Sequence, residues 1–334
     1  MKKPVFLALA TLAIAAAPEY KVTTTIKIGG EGRWDDLYVD SANHRLYVSH
    51  NSQVEVIDTV TDKLVGTIPN TPAVHGIAVA GDLGKGFITT GTPNNKVIVF
   101  DLETLKATAT VGTSQNPDAI SYEPSTHRIV TLNDRGSDAT IIDAKTGEVV
   151  TLSLPLGGKP AFSQTDGKGH VYANIENKDD QQEIVEITVK DSVVSKHYST
   201  APCNDSSGLA IDTVKMRLYT ACANKMMVVS DPLTGKVLGT PAIGAGPDSI
   251  AFDDGYAFTP NGQDGTITMV GETSPGKFEP VATFPMAPRA RIIGADRERH
   301  KLYVPSAEYG PGPATGRGRA PALADTFKIM VYGR

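Results

Sequence analysis

The sequence predicts an all-β protein, a seven-bladed β-propeller made of four-stranded antiparallel blades. The first observation is a strand-like triplet, centred on an aromatic or β-branched residue, that occurs seven times. From Tyr47 to Tyr303, its first and last copies, is 256 residues, or about 43 residues for each of six intervals, which is the length of a propeller blade. The seven central residues are Tyr47, Phe87, Val130, Tyr172, Tyr219, Phe258 and Tyr303.

A second marker keeps the same step. Two apolar residues and an aspartate end at Asp58, Asp101 and Asp143, and a looser copy ends at Asp231. Each aspartate is followed by a short turn phrase rich in Thr, Gly or Asp and then by β-branched residues, which is typical of a hairpin. No segment shows a convincing helical period, so every repeat is interpreted as four short strands.

The two ends of the chain are predicted to close the ring. The last repeat has its third strand at 327–332, and residues 22–28 have strand composition but no blade of their own. Pairing the two segments removes an exposed sheet edge. We expect residues 18–334 to form one domain, with a Pro/Gly-rich loop at 305–325 in the last blade. That loop is equally compatible with a lid over one face and with a disordered connection.

Several phrases of the repeat resemble those of a known family. Residues 45–49 (Arg-Leu-Tyr-Val-Ser), 54–58 (Val-Glu-Val-Ile-Asp) and 247–251 (Pro-Asp-Ser-Ile-Ala) are similar to the YVTN repeats of YncE-like propellers. The resemblance covers nearly the whole chain after the leader. It implies a propeller scaffold in a periplasmic or secreted setting, but it does not choose among the binding proteins, surface proteins and enzyme subunits of that group.

The first 17 residues have the features of a signal peptide. Lys2 and Lys3 precede an almost uncharged run too short to span a bilayer, and small residues favour cleavage near Ala15–Ala17. We therefore expect a periplasmic or secreted protein without a membrane span after cleavage. In that oxidising setting Cys203 and Cys222 are predicted to form a disulfide, the alternative being two free thiols. A net charge of −5 argues against nucleic-acid binding, and we expect a monomer.

One position of the repeat collects candidate site residues. When the repeats are aligned on the end of the first strand, the residues five positions earlier should converge at the mouth of the central channel. They are Asp35, His75, Asp118, Ala161, Ser207, Asp248 and Arg291. Turn capping is an alternative explanation for the aspartates, but it does not explain His75 or Arg291.

Loops expected at the same face extend this set. The further candidates for ligand binding are Glu31, Arg33, Trp34, His50, Asn133, Glu176, Asn261 and Glu308. Trp34 could stack on a ligand or pack on a neighbouring blade. His50, His75 and Glu31 are a candidate set of ligands for a divalent metal ion, although their spacing is not a local metal motif and ordinary hydrogen-bonded histidines would leave the same pattern.

The sequence supports three functions. The first is a binding protein that holds a small polar molecule or a partner's loop at the channel mouth. The second is a metal-assisted hydrolase or lyase that resembles the lactonase-type propellers, and the third is a structural cell-surface component. Whether the chain is an enzyme stays open, no catalytic residue is assigned, and a divalent metal ion is the only candidate cofactor.

Overall fold

Short runs of β-branched and aromatic residues form 28 strands in the part of the chain that the computed structural model describes, residues 17–31, 33–176, 182–310 and 321–334. These strands make seven four-stranded antiparallel sheets. Most of the predicted signal peptide and the central part of the predicted 305–325 loop lie outside the described residues.

The strands follow one another blade by blade, after an isolated first strand. That strand is β1 (Lys21–Lys27). Blade 1 holds β2 (Leu37–Asp40), β3 (Arg45–His50), β4 (Gln53–Asp58) and β5 (Lys63–Ile68). Blade 2 holds β6 (Val74–Ala80), β7 (Lys85–Thr90), β8 (Lys96–Asp101) and β9 (Ala107–Gly112), with a 3₁₀ turn at Gly81–Leu83. Blade 3 holds β10 (Pro117–Glu123), β11 (Arg128–Asn133), β12 (Asp138–Asp143) and β13 (Val149–Pro155).

The remaining four blades repeat this plan. Blade 4 holds β14 (Lys159–Thr165), β15 (His170–Glu176), β16 (Gln182–Thr188) and β17 (Val193–Ser199). Blade 5 holds β18 (Ser206–Asp212), β19 (Arg217–Cys222), β20 (Met226–Ser230) and β21 (Val237–Gly239). Blade 6 holds β22 (Ala251–Asp253), β23 (Tyr256–Asn261), β24 (Thr266–Ser274) and β25 (Lys277–Pro285). Blade 7 holds β26 (Gly294–Asp296), β27 (Lys301–Ser306) and β28 (Lys328–Gly333).

The repeated aspartates have a structural role in the turns. Asp58 accepts hydrogen bonds from the backbone N–H groups of Val60 and Thr61, just after β4. Asp101 and Asp143 cap the corresponding turns of blades 2 and 3 in the same way. Each such cap satisfies backbone donors that the turn would otherwise leave without a partner, which explains why the marker recurs at the same place in several blades.

The apolar core lies between neighbouring blades. Tyr47 of blade 1, for example, packs in one cluster with Ile88 and Phe100 of blade 2, and all three side chains are buried. The first strands of successive blades pack against one another in an unbroken circuit from β2 through β26 and back to β2. A single blade therefore could not bury its faces alone, and the seven sheets stabilise one another around a common axis.

The seventh blade is completed by the N-terminal strand. β1 pairs antiparallel with β28, with Lys21 opposite Gly333 and Lys27 opposite Lys328. The predicted fold and its mode of closure are confirmed, with each of the two strand boundaries shifted by one residue. Since β28 would otherwise be an open edge, this pairing removes a surface on which another chain could add a strand.

The predicted disulfide is also confirmed. Cys203 and Cys222 are bonded, their Cα atoms lie 5.3 Å apart, and they are 19 residues apart in sequence. In the chain-entropy description, closing a loop of that length stabilises the folded protein by about 3 kcal/mol. Across the described residues, no helix has the length and apolar composition needed to cross a bilayer.

Candidate functional site

A chain of charged contacts runs across one end of the ring. The Arg291 guanidinium donates to Asp248 through Nη1 and to Asp35 through Nη2, the latter at 3.2 Å. His75 Nδ1 donates to Asp35 Oδ2 at 2.5 Å and lies 3.4 Å from Asp118 Oδ1. Five side chains from blades 6, 7, 1, 2 and 3 are thereby brought together, and all five hold the aligned repeat position.

The repeat positions these side chains through the first strand of each blade. Six of the seven first strands end at the residue used for the sequence alignment, and β14 ends one residue earlier, at Thr165. Ser49 Oγ accepts the backbone N–H of Asp35 at 2.9 Å, and Thr89 Oγ1 donates to the Asp118 carbonyl at 2.6 Å. The backbone that carries the charged groups is therefore held by hydroxyls of the adjacent second strands.

Hydrogen bonds join every pair of neighbouring blades near this end. Besides the contacts of Arg291, His75 and Thr89, Ser121 and Ser163 share a hydrogen bond of 2.7 Å between blades 3 and 4. Three further contacts, at the 4–5, 5–6 and 6–7 junctions, are made by donation to backbone carbonyls. They are Asn174 to Ser207 at 3.0 Å, Ser207 to Pro247 at 3.2 Å, and Ser249 to Arg291 at 3.1 Å. We call this closed set of contacts the inter-blade belt.

A cavity of about 260 Å³ opens beside the charged network. Its wall contains apolar groups such as Phe162 and Ile292 together with eight charged side chains. Six of these are carboxylates and two are basic. The carboxylates are Asp35, Asp36, Asp118, Glu176, Asp205 and Asp248, and the basic residues are Lys159 and Arg291. The wall therefore carries an excess of negative charge.

Burial among like charges changes the ionisation of these carboxylates. Burial, with a further contribution from the Asp35 carboxylate, raises the pKa of Asp118 to about 7. Burial also raises the pKa of Asp36 to about 7, with Asp35, Asp118 and Asp248 adding to the effect and the Leu37 N–H opposing it. The pKa of Glu176 is raised by burial and by its hydrogen bond with Asp205.

Burial acts on the basic groups in the opposite sense, since it lowers rather than raises their pKa values. Burial lowers the pKa of His75, but its hydrogen bond to Asp35 and the charge of Asp118 outweigh burial, so that the net shift is upward. Both basic side chains of the wall already have partners. Arg291 bridges Asp248 and Asp35, and Lys159 lies 3.5 Å from Glu176 and 3.8 Å from Asp134. The remaining negative charge favours a ligand that brings a cation or several hydrogen-bond donors.

The structure brings together a different metal-capable group from the predicted one. Among the described residues, one grouping of at least three histidines, cysteines or carboxylates could hold a metal ion, and it consists of Asp35, His75 and Asp118, whose ligand atoms all lie within 4.8 Å of one another. It keeps His75 but contains neither His50 nor Glu31. Two carboxylates and an imidazole suit a divalent ion of the first transition series.

The His50 side chain makes its contacts with Glu55 and Phe327. Its ring is buried, its Nδ1 contacts Glu55 at 3.0 Å, and its ring centroid lies 4.3 Å from that of Phe327. His50 Nε2 is buried without a hydrogen-bond partner among the described residues. Glu31, in contrast, is exposed.

The other predicted residues divide into internal and surface groups. Asn133 and Asn261 are fully buried and donate to groups of their own blades, for example to Asp138 at 2.7 Å and to Thr268 at 2.8 Å. The rings of Trp34 and Phe327 stack with their centroids 4.9 Å apart. Trp34 therefore packs against the protein itself, which is one of the two roles expected for it. Arg33 and Glu308 are exposed, while Ala161, Ser207 and Glu176 line the cavity.

Sequence reasoning missed three charged residues of the wall, Asp36, Lys159 and Asp205. Lys159 and Asp205 both lie two positions before the aligned repeat position. The backbone at that offset has a positive φ in several blades, among them Ala73 at 54°, Asn116 at 58° and Asp205 at 49°. This left-handed turn precedes the first strand in those blades, whereas Lys159 is the first residue of β14, so the signal that the two residues share is their offset from the aligned position.

Comparisons with known proteins support the fold. No family model and no curated protein matches this chain. Among solved structures, hydrazine synthase of Kuenenia stuttgartiensis is similar, with a TM-score of 0.71, 13% identity, and coverage of 84% of this chain and 94% of that chain. In all, 1719 chains of solved structures match, so this shape does not discriminate between functions.

The raised pKa of Asp36 predicts a pH-dependent stability. A raised pKa means that the folded state holds the proton more tightly, so the free energy of unfolding falls as pH rises from about 4, the value in the unfolded chain, to about 7. Asp36→Asn removes this contribution and leaves that of Asp118. Urea denaturation of the metal-free protein at pH 5 and pH 8 should show a smaller loss of stability in the variant. An identical loss in both proteins would contradict the assigned ionisation.

Proposed function

We propose that this chain is an exported, YVTN/YncE-like propeller that binds a small polar ligand carrying positive charge at the mouth of its channel. The proposal depends on one observation, the cavity whose wall holds six carboxylates and only two basic side chains. Those basic groups are engaged by carboxylates of the same end of the ring. A cationic ligand is the partner that offsets the remaining repulsion.

The size of the cavity limits the ligand. Its 260 Å³ lies just below the roughly 300–1,000 Å³ of typical small-molecule sites and equals the liquid volume of about nine water molecules. This favours a compact molecule or the end group of a larger one, such as a side chain on a partner's loop. Phe162 and Ile292 in the wall can contact the apolar part of such a ligand.

Export is supported by two features. The Cys203–Cys222 disulfide is typical of proteins outside the reducing cytoplasm, and Lys2 and Lys3 precede the apolar leader. The resemblance of the repeats to YVTN sequences implies the same setting.

Export predicts a defined mature N-terminus. Expression with the native leader should give a secreted or periplasmic protein whose first residue, read by N-terminal sequencing, lies just after Ala15–Ala17. A protein that retains Met1 and stays in the cytoplasm would contradict this part of the proposal.

Ligand class can be tested by thermal denaturation in the presence of a chelator. Small amines, including ethanolamine and putrescine, should stabilise the protein, whereas acetate and neutral sugars should not. A ligand at 100 times its Kd adds about 2.7 kcal/mol. Glu176→Gln should reduce the shift because it removes a carboxylate of the wall. The charge-matched control is Asp191→Asn, which changes an exposed turn residue.

Three outcomes would reject the proposed ligand class. One is the lack of any stabilisation by amines, and another is stabilisation by anions instead. The third is an amine effect of equal size in Glu176→Gln and Asp191→Asn, because binding would then not involve the cavity wall.

A metal-assisted hydrolase or lyase is the second candidate. The grouping of Asp35, His75 and Asp118 beside an open cavity supports it, since a metal ion with open positions can activate water. A panel of lactones and esters should be tested for hydrolysis with and without a chelator. Hydrolysis that the chelator abolishes would distinguish this activity from binding alone.

A further inference from the structure

We infer that Asp35, His75 and Asp118 hold a single divalent ion of the first transition series at one side of the channel mouth. This inference rests on the proposed ligand site and names one of its occupants. The three residues come from blades 1, 2 and 3, whereas Glu176 and Asp205 line the cavity from blades 4 and 5. The ion and an organic ligand therefore use different sides of one opening.

Two of the three separations between ligand atoms are close to what such an ion needs, and the third is at most 4.8 Å. Four-coordinate bonds of about 2.0–2.1 Å place neighbouring ligand atoms ~3.3 Å apart. His75 Nδ1 lies 3.4 Å from Asp118 Oδ1 and 2.5 Å from Asp35 Oδ2. The first distance matches, and the second needs an opening of less than about 1 Å, within reach of a rotation of either side chain.

The surroundings hold the three residues in place. Asp35 Oδ1, the oxygen that does not face His75, accepts a hydrogen bond from Arg291 Nη2 at 3.2 Å. Such an outer contact orients a metal-binding carboxylate. The His75 ring also depends on a glycine, because a Cβ at Gly91 would lie 2.7 Å from His75 Nε2.

The cavity provides the open coordination positions. Asp35 and Asp118 are part of its wall, and their side chains are about one-third exposed, at 34% and 39%. Three protein ligands leave at least one position for water or for a donor atom of a ligand, which is the arrangement of a reactive metal site. A structural site, in contrast, would be enclosed by four protein ligands.

Metal binding by the full chain tests this inference directly. Protein stripped with a chelator and dialysed should bind one equivalent of Zn²⁺ or Mn²⁺ in isothermal titration calorimetry. Co²⁺ should give a visible absorption spectrum of nitrogen and oxygen coordination. Asp118→Asn and His75→Gln should each weaken the affinity by at least about 100-fold, the upper end of the effect of losing an outer-shell partner.

Control variants separate this site from general binding. His197→Ala removes an exposed histidine of β17 that pairs with Glu183 of β16. This variant should bind the metal ion with unchanged affinity. Glu31→Gln should also bind normally, because Glu31 is outside the grouping. Circular dichroism checks that each variant folds. If Asp118→Asn does not fold, the metal affinity of His75→Gln and the Co²⁺ spectrum of the wild-type protein test the inference.

The inference is overturned if the wild-type protein binds no equivalent of metal, or if Glu31→Gln abolishes binding while His75→Gln does not. These outcomes are distinct from failure of the proposed function, which is measured with amines in chelator and depends on Glu176. Amine binding without metal binding rejects only the metal site, and metal binding without an amine effect rejects only the organic cation.

Discussion

The inter-blade belt is the constraint on which the rest of this structure depends. Seven sheets close into a ring only if the first strand of each blade packs on the next, and here that circuit is unbroken. Hydroxyl, amide and charged side chains fasten each junction, as Ser121 does with Ser163 and Asn174 with the Ser207 carbonyl. Because buried polar groups are costly when left without partners, these pairings favour one relative position of neighbouring blades.

The charged part of the belt has a different character from the rest. Between blades 3 and 6 the hydrogen bonds of the belt join neutral groups, whereas between blades 6 and 3, through blades 7, 1 and 2, they also join Asp248, Arg291, Asp35, His75 and Asp118. Neutral groups would close the ring equally well, as the other junctions show. The charged residues gather carboxylates whose pKa values burial raises, and such groups are concentrated at functional sites. This asymmetry supports placing the proposed metal ion on that side of the mouth.

Periodicity explains how much of the fold could be predicted. Tyr47, Tyr172 and Tyr303 are central residues of second strands and are almost completely buried, so a regular pattern of large side chains marked every blade. The end strands were found for the same reason, because residues near Val22 had strand composition without a blade. A 43-residue repeat thus contains most of the information needed for the architecture, since each blade buries its faces only against its neighbours.

The site was less predictable, and the reasons are local. The aligned position correctly grouped Asp35 with Arg291, which are 256 residues apart, because equivalent positions of a closed ring converge. His50 could not be placed in this way. It is the last residue of the second strand β3, and its partner Glu55 lies five residues further on, so a contact within one blade competes with any contact across blades. Asp205 escaped notice because its place depends on a left-handed turn residue that has no fixed amino-acid type.

The coupling between Asp35 and Arg291 tests the account most directly, because it exists only if blades 1 and 7 meet at a shared mouth. A double-mutant cycle with Asp35→Asn and Arg291→Met, measured by urea denaturation, should give a coupling free energy of about 0.5–1.5 kcal/mol. This range is reduced from that of a buried pair because 34% of the Asp35 side chain is exposed. Additive effects, with a coupling below about 0.3 kcal/mol, would contradict the convergence of the blades on one charged site.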